Sequence, residues 1–306
     1  MPTKFQFQID ETIRKNRLDS FVADEITAVS KMFLRNAIKK GDCKVNGKTE
    51  LRGGYHLKES DTVEIEIDLQ ATTAMTPEDI RLDIVFEDEE LIVVNKPAGM
   101  LVHPTLGQKS GTLLNALAFY LNSHRLSAVN NQYKQNLEIQ NLKSKTQMIR
   151  PGLVHRLDRE TSGLMVIAKT KRAHSILSEH FQRRLIEKEY LALVCGNIEN
   201  DAGVINTPIG RFEEKKCWGV KENGKPAETL YRVKERLFDT TLVSLAPVTG
   251  RTNQLRIHCN YLGHPIIGDK LYGGREFSRL CLHAAKLSFW HPKGGEKITF
   301  ESQIYF

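Results

Sequence analysis

No stretch of this sequence reaches the roughly 18 consecutive apolar residues that a membrane-crossing helix requires, so no membrane span is expected. The opening segment, MPTKFQFQIDETIRKN, has neither an apolar core nor a small-residue cleavage pattern, and no secretory signal is expected there. Cysteine is sparse: Cys43, Cys195, Cys217, Cys259 and Cys281 include no CxxC pair, and their odd number argues against a full disulfide framework. Reduced thiols in a cytoplasmic protein are expected. A phosphate-cradling Walker loop, a dinucleotide-binding GxGxxG and a zinc-deaminase HxE…PCxxC signature are all missing, and so is any internal repeat. These absences leave no cofactor and no metal to expect.

What remains is ordinary globular material. The 306 residues are 40% hydrophobic and 26% charged, enough for a sizeable core and, by length, about two domains. The net charge of +7 favours a polyanionic partner, although many basic enzymes share it.

Residues 11–68 read as a small separate unit. RLDSFVADEI opens a helix, and Ser30 offers a cap for KMFLRNAIKK, which Gly41 ends. Phe33, Leu34, Ala37 and Ile38 fall on one face of that second helix, and Lys31, Arg35, Lys39 and Lys40 are its basic positions. CKVNGK reads as a strand entering an Asn-Gly turn, and TVEIEID as an alternating strand. Residues 69–80 are polar and aperiodic, which suits a linker.

The larger domain, 81–306, opens with a hairpin around Asp88-Glu89-Glu90, followed by a Pro-Ala-Gly turn. TLLNALAFYLN predicts a short helix, and residues 122–148, poor in apolar side chains, a long exposed loop. Next come a buried strand (LMVIAKT), a helix (KRAHSILSEHFQRRL) and a strand (EYLALVCG). TLYRVKERLF and TTLVSLAPVTG form an antiparallel pair, RTNQLRIHCNYLG is helical, and LCLHAAKLSFWHP and KITFES are strand-like. The pattern predicts an α+β domain around a mostly antiparallel, mixed sheet, preceded by a small α/β domain.

Chemistry concentrates in PGLVHRLDRETSGLMVIAKT, where a polar loop is set directly before an apolar strand. Such a loop presents a side chain rigidly. In it Asp158 lies between Arg156 and Arg159, and flanking cations favour an ionised carboxylate, as a nucleophile needs. A structural ion pair or a turn cap accounts equally for this local pattern.

HRLDRETSGLMVIAK resembles the signature segment of the RluA-type pseudouridine synthases. In order, LIVVNKPAGMLVHP, EKEYLALVCG, GRTNQLRIHCNYLGHPIIGDKLYGG and LCLHAAKLSFWHP resemble further motifs of that family, over roughly residues 81–300. RLDSFVADEI with SKMFLRNAIKKGDCKVNGK resembles an S4 RNA-binding domain, often carried by the family's large-subunit rRNA enzymes. The resemblance departs at Asn253, where the family commonly has His, and no role is assigned to it.

The resemblance implies isomerisation of uridine to pseudouridine in structured RNA, large-subunit rRNA rather than tRNA, by a cytoplasmic monomer that needs no cofactor. It implies Asp158 as nucleophile on a uridine extruded from its helix at a few kcal/mol. Tyr190 would stack on the uracil and help to remove the C5 proton, and Arg256 would grip the aspartate in a bidentate pair. Arg156 would fill the gap left by the base or touch phosphate, and Lys31, Arg35, Lys39 and Lys40 would meet phosphates. His155 and His103 read as structural. The alternatives are a silent RNA-binding relative, which loss of the aspartate would favour, and a methyltransferase or deaminase, which would need the missing loops or ligands.

Overall fold

The computed structural model describes residues 2–10, 17–26, 29, 31–67, 76–105, 107–133, 149–214, 217–304 and 306, with side chains omitted over 124–133. The chain divides into two units, Met1–Arg81 with His103–Pro151, and Leu82–Val102 with Gly152–Phe306.

In the first unit, β1 (Thr3–Gln8) is followed by helices α1 (Leu18–Glu25) and α2 (Lys31–Lys40). β2 (Cys43–Val45), β3 (Lys48–Thr49) and β4 (Thr62–Ile67) complete a sheet ordered β1-β4-β2-β3. Asn46 and Gly47 both take positive φ, 51° and 75°, as the two-residue turn of the β2–β3 hairpin requires. Leu34, Ala37 and Ile38 of α2 are buried in one core with Val63, Ile65 and Ile67 of β4. Gly41, at φ 93°, ends α2; the Ser30 cap lies outside the described residues. β1, unforeseen, extends the sheet by pairing along all of β4.

The same unit holds α3 (Leu113–Tyr133), which corrects the expected loop at 122–148 over its first part. The helix was expected to stop near Asn122. No Gly or Pro interrupts 113–133, so polar side chains alone do not end it. Residues 134–148 lie outside the described residues.

The second unit is built on one large sheet. β5 (Ile84–Glu87) and β6 (Leu91–Lys96) form the expected hairpin, closed by Asp88, whose Oδ1 accepts from the amides of Glu90 and Leu91 at 2.7 and 2.8 Å. β7 (Gly152–Leu153) and β8 (Ser162–Ala168) follow, then α4 (Lys171–Gln182) and β9 (Glu187–Cys195). β10 (Ala202–Asn206), β13 (Glu228–Arg236) and β14 (Thr240–Pro247) extend the sheet, and β11 (Ile209–Phe212) pairs separately with β12 (Cys217–Val220). After α5 (Gln254–Tyr261), the chain closes with β15 (Leu282–Trp290) and β16 (Lys297–Glu301).

The strand order is β10-β13-β14-β9-β15-β8-β6-β5, with β16 on β15 and β7 on β8. Every pairing in it is antiparallel except β15 with β8. All seven residues of β8 are buried, which explains its unbroken apolar run. Two apolar cores flank this centre. One gathers β6, β8 and β15 with Ala173 and Leu177 of α4; the other gathers β9 and β14 with Leu255 and Cys259 of α5. The fold is the mixed α+β architecture expected. β10, β11 and β12 were not foreseen. The five cysteines are free thiols, and among the described residues no helix is long and apolar enough to cross a membrane.

Candidate active site

The loop before β8 is braced from below. The Asp158 carbonyl accepts from the Thr161 amide at 3.2 Å, closing a tight turn. The Gly99 amide donates to the Arg159 carbonyl at 2.8 Å, and Arg159 Nε returns a bond to the Gly99 carbonyl at 3.0 Å. Beneath them Lys96, only 1% exposed, donates to the carbonyls of Pro97, Met100 and Arg159 at 2.8, 2.9 and 3.1 Å. Burial lowers its pKa to about 8, against the pull of Glu160 and Asp158. Lys96 thus locks the Pro-Ala-Gly turn onto the aspartate turn. Sequence reasoning missed it; a lysine closing the apolar run LIVV just before proline was the available signal.

Gly163 completes the support. Its φ is 118°, and a Cβ there would stand 2.4 Å from the Ala284 carbonyl oxygen, where β8 and β15 run parallel. Only glycine allows that approach.

Asp158, Tyr190, Arg256 and Arg156 line one cleft of about 480 Å³. Burial pushes the Asp158 carboxyl above its ordinary pKa, opposed by the charges of Arg256, Arg156 and Lys96. This corrects the expectation that flanking cations dominate. Arg159 is directed to the Gly99 carbonyl and lies 3.6 Å from Glu160, and of the two neighbouring arginines Arg156 is the one among the leading charges on Asp158.

Arg256 sits in the first turn of α5, held by a partner that the sequence did not suggest. Its Nε and Nη2 meet both oxygens of the fully buried Asp269 at 2.8 and 2.6 Å, and its guanidinium lies 5.1 Å from the centre of the Tyr272 ring. The expected bidentate pair with Asp158 is therefore corrected: the fork belongs to Asp269. Asp269 is fixed in turn by the amides of Leu271 and Tyr272, so the acid and its loop form one rigid seat. Asn253 precedes α5 in a left-handed conformation (φ 54°), a region where Asn and His are both enriched. It also donates to the Tyr272 hydroxyl at 3.1 Å.

Tyr190 projects from β9, opposite Leu245 on one side and Ala284 on the other. Burial, then the charge of Asp158, raises its phenol above the ordinary value, so it is neutral at pH 7. A neutral phenol is an apolar face with a donor, not a base, which weighs against direct proton removal by Tyr190. His155 accepts from the Val166 amide at 3.1 Å and stacks on Phe181 at 4.5 Å. Burial lowers its pKa to about 3, so it is neutral and serves as a strut.

The basic helix positions lie in the first unit. Lys39 and Lys40 are exposed, and Lys31 donates to the Ser20 hydroxyl at 2.9 Å. Arg35 holds the buried Asp19 carboxylate at 2.6 Å, with Arg17 at 3.2 Å, so its charge is partly spent inside its own unit. Among the described residues no group of three or more His, Cys, Asp or Glu is arranged to hold a metal ion.

Known proteins resemble this chain over most of its length. The family described as RNA pseudouridylate synthase matches residues 90–261, which span Asp158, Tyr190 and Arg256. The chain is 36% identical over 305 residues to the uncharacterized RNA pseudouridine synthase YlyB of Bacillus subtilis, covering 97% of this chain and 94% of that one. It is 34% identical to the ribosomal large subunit pseudouridine synthase D of Vibrio cholerae, over 98% and 92% of the two chains. Among solved structures, human RNA Pseudouridylate Synthase Domain Containing 1 superposes with a TM-score of 0.58 at 29% identity, over 75% of this chain and 86% of that one. Identity of about one third over nearly the whole length and a shared fold lead to one conclusion: this chain belongs to the RNA pseudouridylate synthase family and is an isomerase that acts on uridine in RNA.

Proposed function

We propose that the chain converts a uridine of large-subunit ribosomal RNA to pseudouridine, with Asp158 as nucleophile on a nucleotide turned out of its helix. The observation that carries this reading is the shared cleft of Asp158, Tyr190 and Arg256, roomy enough for a nucleoside. The relatives named for the ribosomal large subunit, at about one third identity over nearly the whole chain, support the choice of RNA.

The reaction breaks the bond between N1 of uracil and C1′ of ribose and rejoins the sugar to C5. The C5 proton leaves and N1 ends protonated, so atoms balance without oxidant or energy source. Asp158 supplies the electron pair during that exchange. Arg256, clamped by Asp269, holds a fixed positive charge beside it, and preorganised charge of this kind lowers a barrier without reorganisation. Tyr190 offers a flat face for the freed uracil, which leaves with the N1–C1′ bonding pair as an anion and turns there before C5 joins C1′. Arg156, exposed at the cleft, is suited to the vacated base position or to a phosphate.

Residues 11–68 are read as an S4-like RNA-binding domain, 69–80 as its linker and 81–306 as the catalytic domain. Exposed Lys39 and Lys40 support phosphate contact by α2, with Lys31 and Arg35 on the side of Lys39 at four-residue spacing.

The test compares the intact chain with Asp158→Ala on a large-subunit rRNA transcript, together with pseudouridine maps of cells lacking the protein. One or a few sites lost from large-subunit rRNA are expected, and none formed by the variant. Equal product from Asp158→Ala would remove the nucleophile, and losses confined to tRNA would remove the ribosomal assignment.

A further inference from the structure

Arg184 stands where a helix normally ends in glycine. The Leu185 amide donates to the His180 carbonyl at 2.9 Å and the Arg184 amide to the Phe181 carbonyl at 3.2 Å. This is the paired closure of a Schellman motif at the end of α4, with Arg184 as its left-handed residue, φ 60°. A side chain is strained in that conformation, and glycine is not. Retained strain of this sort points from an outlier toward function.

The Arg184 side chain lines the same cleft as Asp158, and so does Lys188 near the start of β9. Lys188 lies two residues before Tyr190 and therefore on the same face of the strand. Its amine is 5.9 Å from the centre of the Phe181 ring. The neighbouring Arg183 is paired with Glu179 at 2.8 Å. Among the described residues no acid is paired with Arg184 or Lys188, and the charge acting on Lys188 is that of Arg184 itself. Burial and the adjacent guanidinium both lower the Lys188 pKa. Two like charges are thus kept together in the cleft, one of them on a strained backbone. A bound anion would relieve their mutual repulsion.

We propose that Arg184 and Lys188 form a phosphate-binding subsite that holds the backbone of the RNA strand carrying the target uridine. This rests on the reading of the cleft as the RNA isomerisation site and adds to it the group that anchors the strand there.

The test measures the affinity of the full chain for a large-subunit rRNA transcript, and for bulk tRNA, across a range of potassium chloride concentrations. Each phosphate contact contributes about 0.7 to the slope of log affinity against log salt on single-stranded nucleic acid. Arg184→Gly and Lys188→Gln are each expected to lower the slope by about that amount on whichever RNA binds. Lys188→Arg keeps both slope and KM, whereas Arg184→Gly and Lys188→Gln raise KM more than they change kcat at saturating RNA. Arg184→Gly should also raise the melting temperature, because glycine relieves the left-handed strain, so weaker binding cannot be put down to misfolding. Unchanged slopes in both variants, a fall in affinity without a change in slope, or failure of the unaltered chain to bind either RNA would overturn the subsite. The binding measurement needs no turnover. Salt-dependent binding without pseudouridine formation would instead refute the proposed reaction and leave the subsite standing.

Discussion

Arg256 closes two nitrogens of its guanidinium on Asp269, at 2.8 and 2.6 Å, while Asp158 meets the same arginine only as a nearby charge. The division matters for chemistry. A carboxylate locked into a bidentate pair has its oxygens committed, whereas Asp158 keeps its own for substrate. Asp269 holds the arginine still, and the arginine supplies the field.

Replacing that hidden partner should therefore damage both fold and activity. Asp269→Asn keeps the shape but removes the charge that compensates a guanidinium about one tenth exposed. Breaking one side of a buried pair costs about 3–5 kcal/mol, read as a fall in the urea midpoint. A misplaced Arg256 should lower single-turnover rates on the order of 10²-fold. A variant with an unaltered midpoint and rate would show that the pair is not the seat of Arg256.

Lys96 predicts a different kind of loss. Lys96→Met leaves three buried carbonyls without their charged donor. Hydrogen bonds to charged groups contribute about 1.5–3 kcal/mol each, and those at one centre do not add fully, so a loss on the order of 3 kcal/mol is expected. The aspartate turn should loosen with it, visible as faster hydrogen exchange at the Gly99 amide, which bonds to Arg159. Exchange and stability equal to the unaltered chain would sink this account of Lys96.

The raised pKa of Asp158 gives a stability prediction of definite sign. Burial lifts the folded-state value above the ordinary 3.8, so the folded chain binds this proton more tightly than the unfolded one. The ionised carboxylate accordingly opposes folding above its folded pKa, and the opposition fades as pH falls toward 3.8. Asp158→Asn should melt at a higher temperature than the unaltered chain at pH 7, with the difference shrinking on acidification. A lower melting temperature at pH 7 would mean that the carboxylate stabilises its surroundings.

Asp19 behaves in the opposite way. Burial raises its pKa, and hydrogen bonds from Arg17 and Arg35 overcome that and bring it to about 2 from the usual 3.8. Its contribution is fully present above pH 3.8 and is lost as pH falls through about 2. With both arginines half-exposed and screened by water, Asp19→Asn should cost on the order of 1–2 kcal/mol at neutral pH. The cost should vanish once the pH is well below 2, and a difference of undiminished size there would contradict the pairing.

Local pattern accounts for much of the fold because local pattern is what it depends on. TVEIEI alternates in sequence and its buried positions alternate in β4, since a half-covered strand has period two. Asn46-Gly47 makes its turn because those residues accept positive φ. The polar loop before β8 was visible because an all-buried strand must follow it as an unbroken apolar run. Short β10, β11 and β12 escaped notice because their pairing partners, not their patterns, define them. The end of α3 was misjudged because polarity is a weaker helix breaker than glycine or proline.

By itself the amino-acid order determined the strand and helix alternation and the basic balance, which rest on residue type and near neighbours, while the choice of Asp158, Tyr190 and Arg256 came from the resemblance of its motifs to a family. Tertiary structure alone decided which acid Arg256 grips, that Lys96 braces Arg159 from 63 residues away, and that Arg184 is bent into a glycine's conformation beside the cleft. Those relationships join segments remote in sequence, or backbone angles set by packing, and distance along a chain carries no record of distance in space.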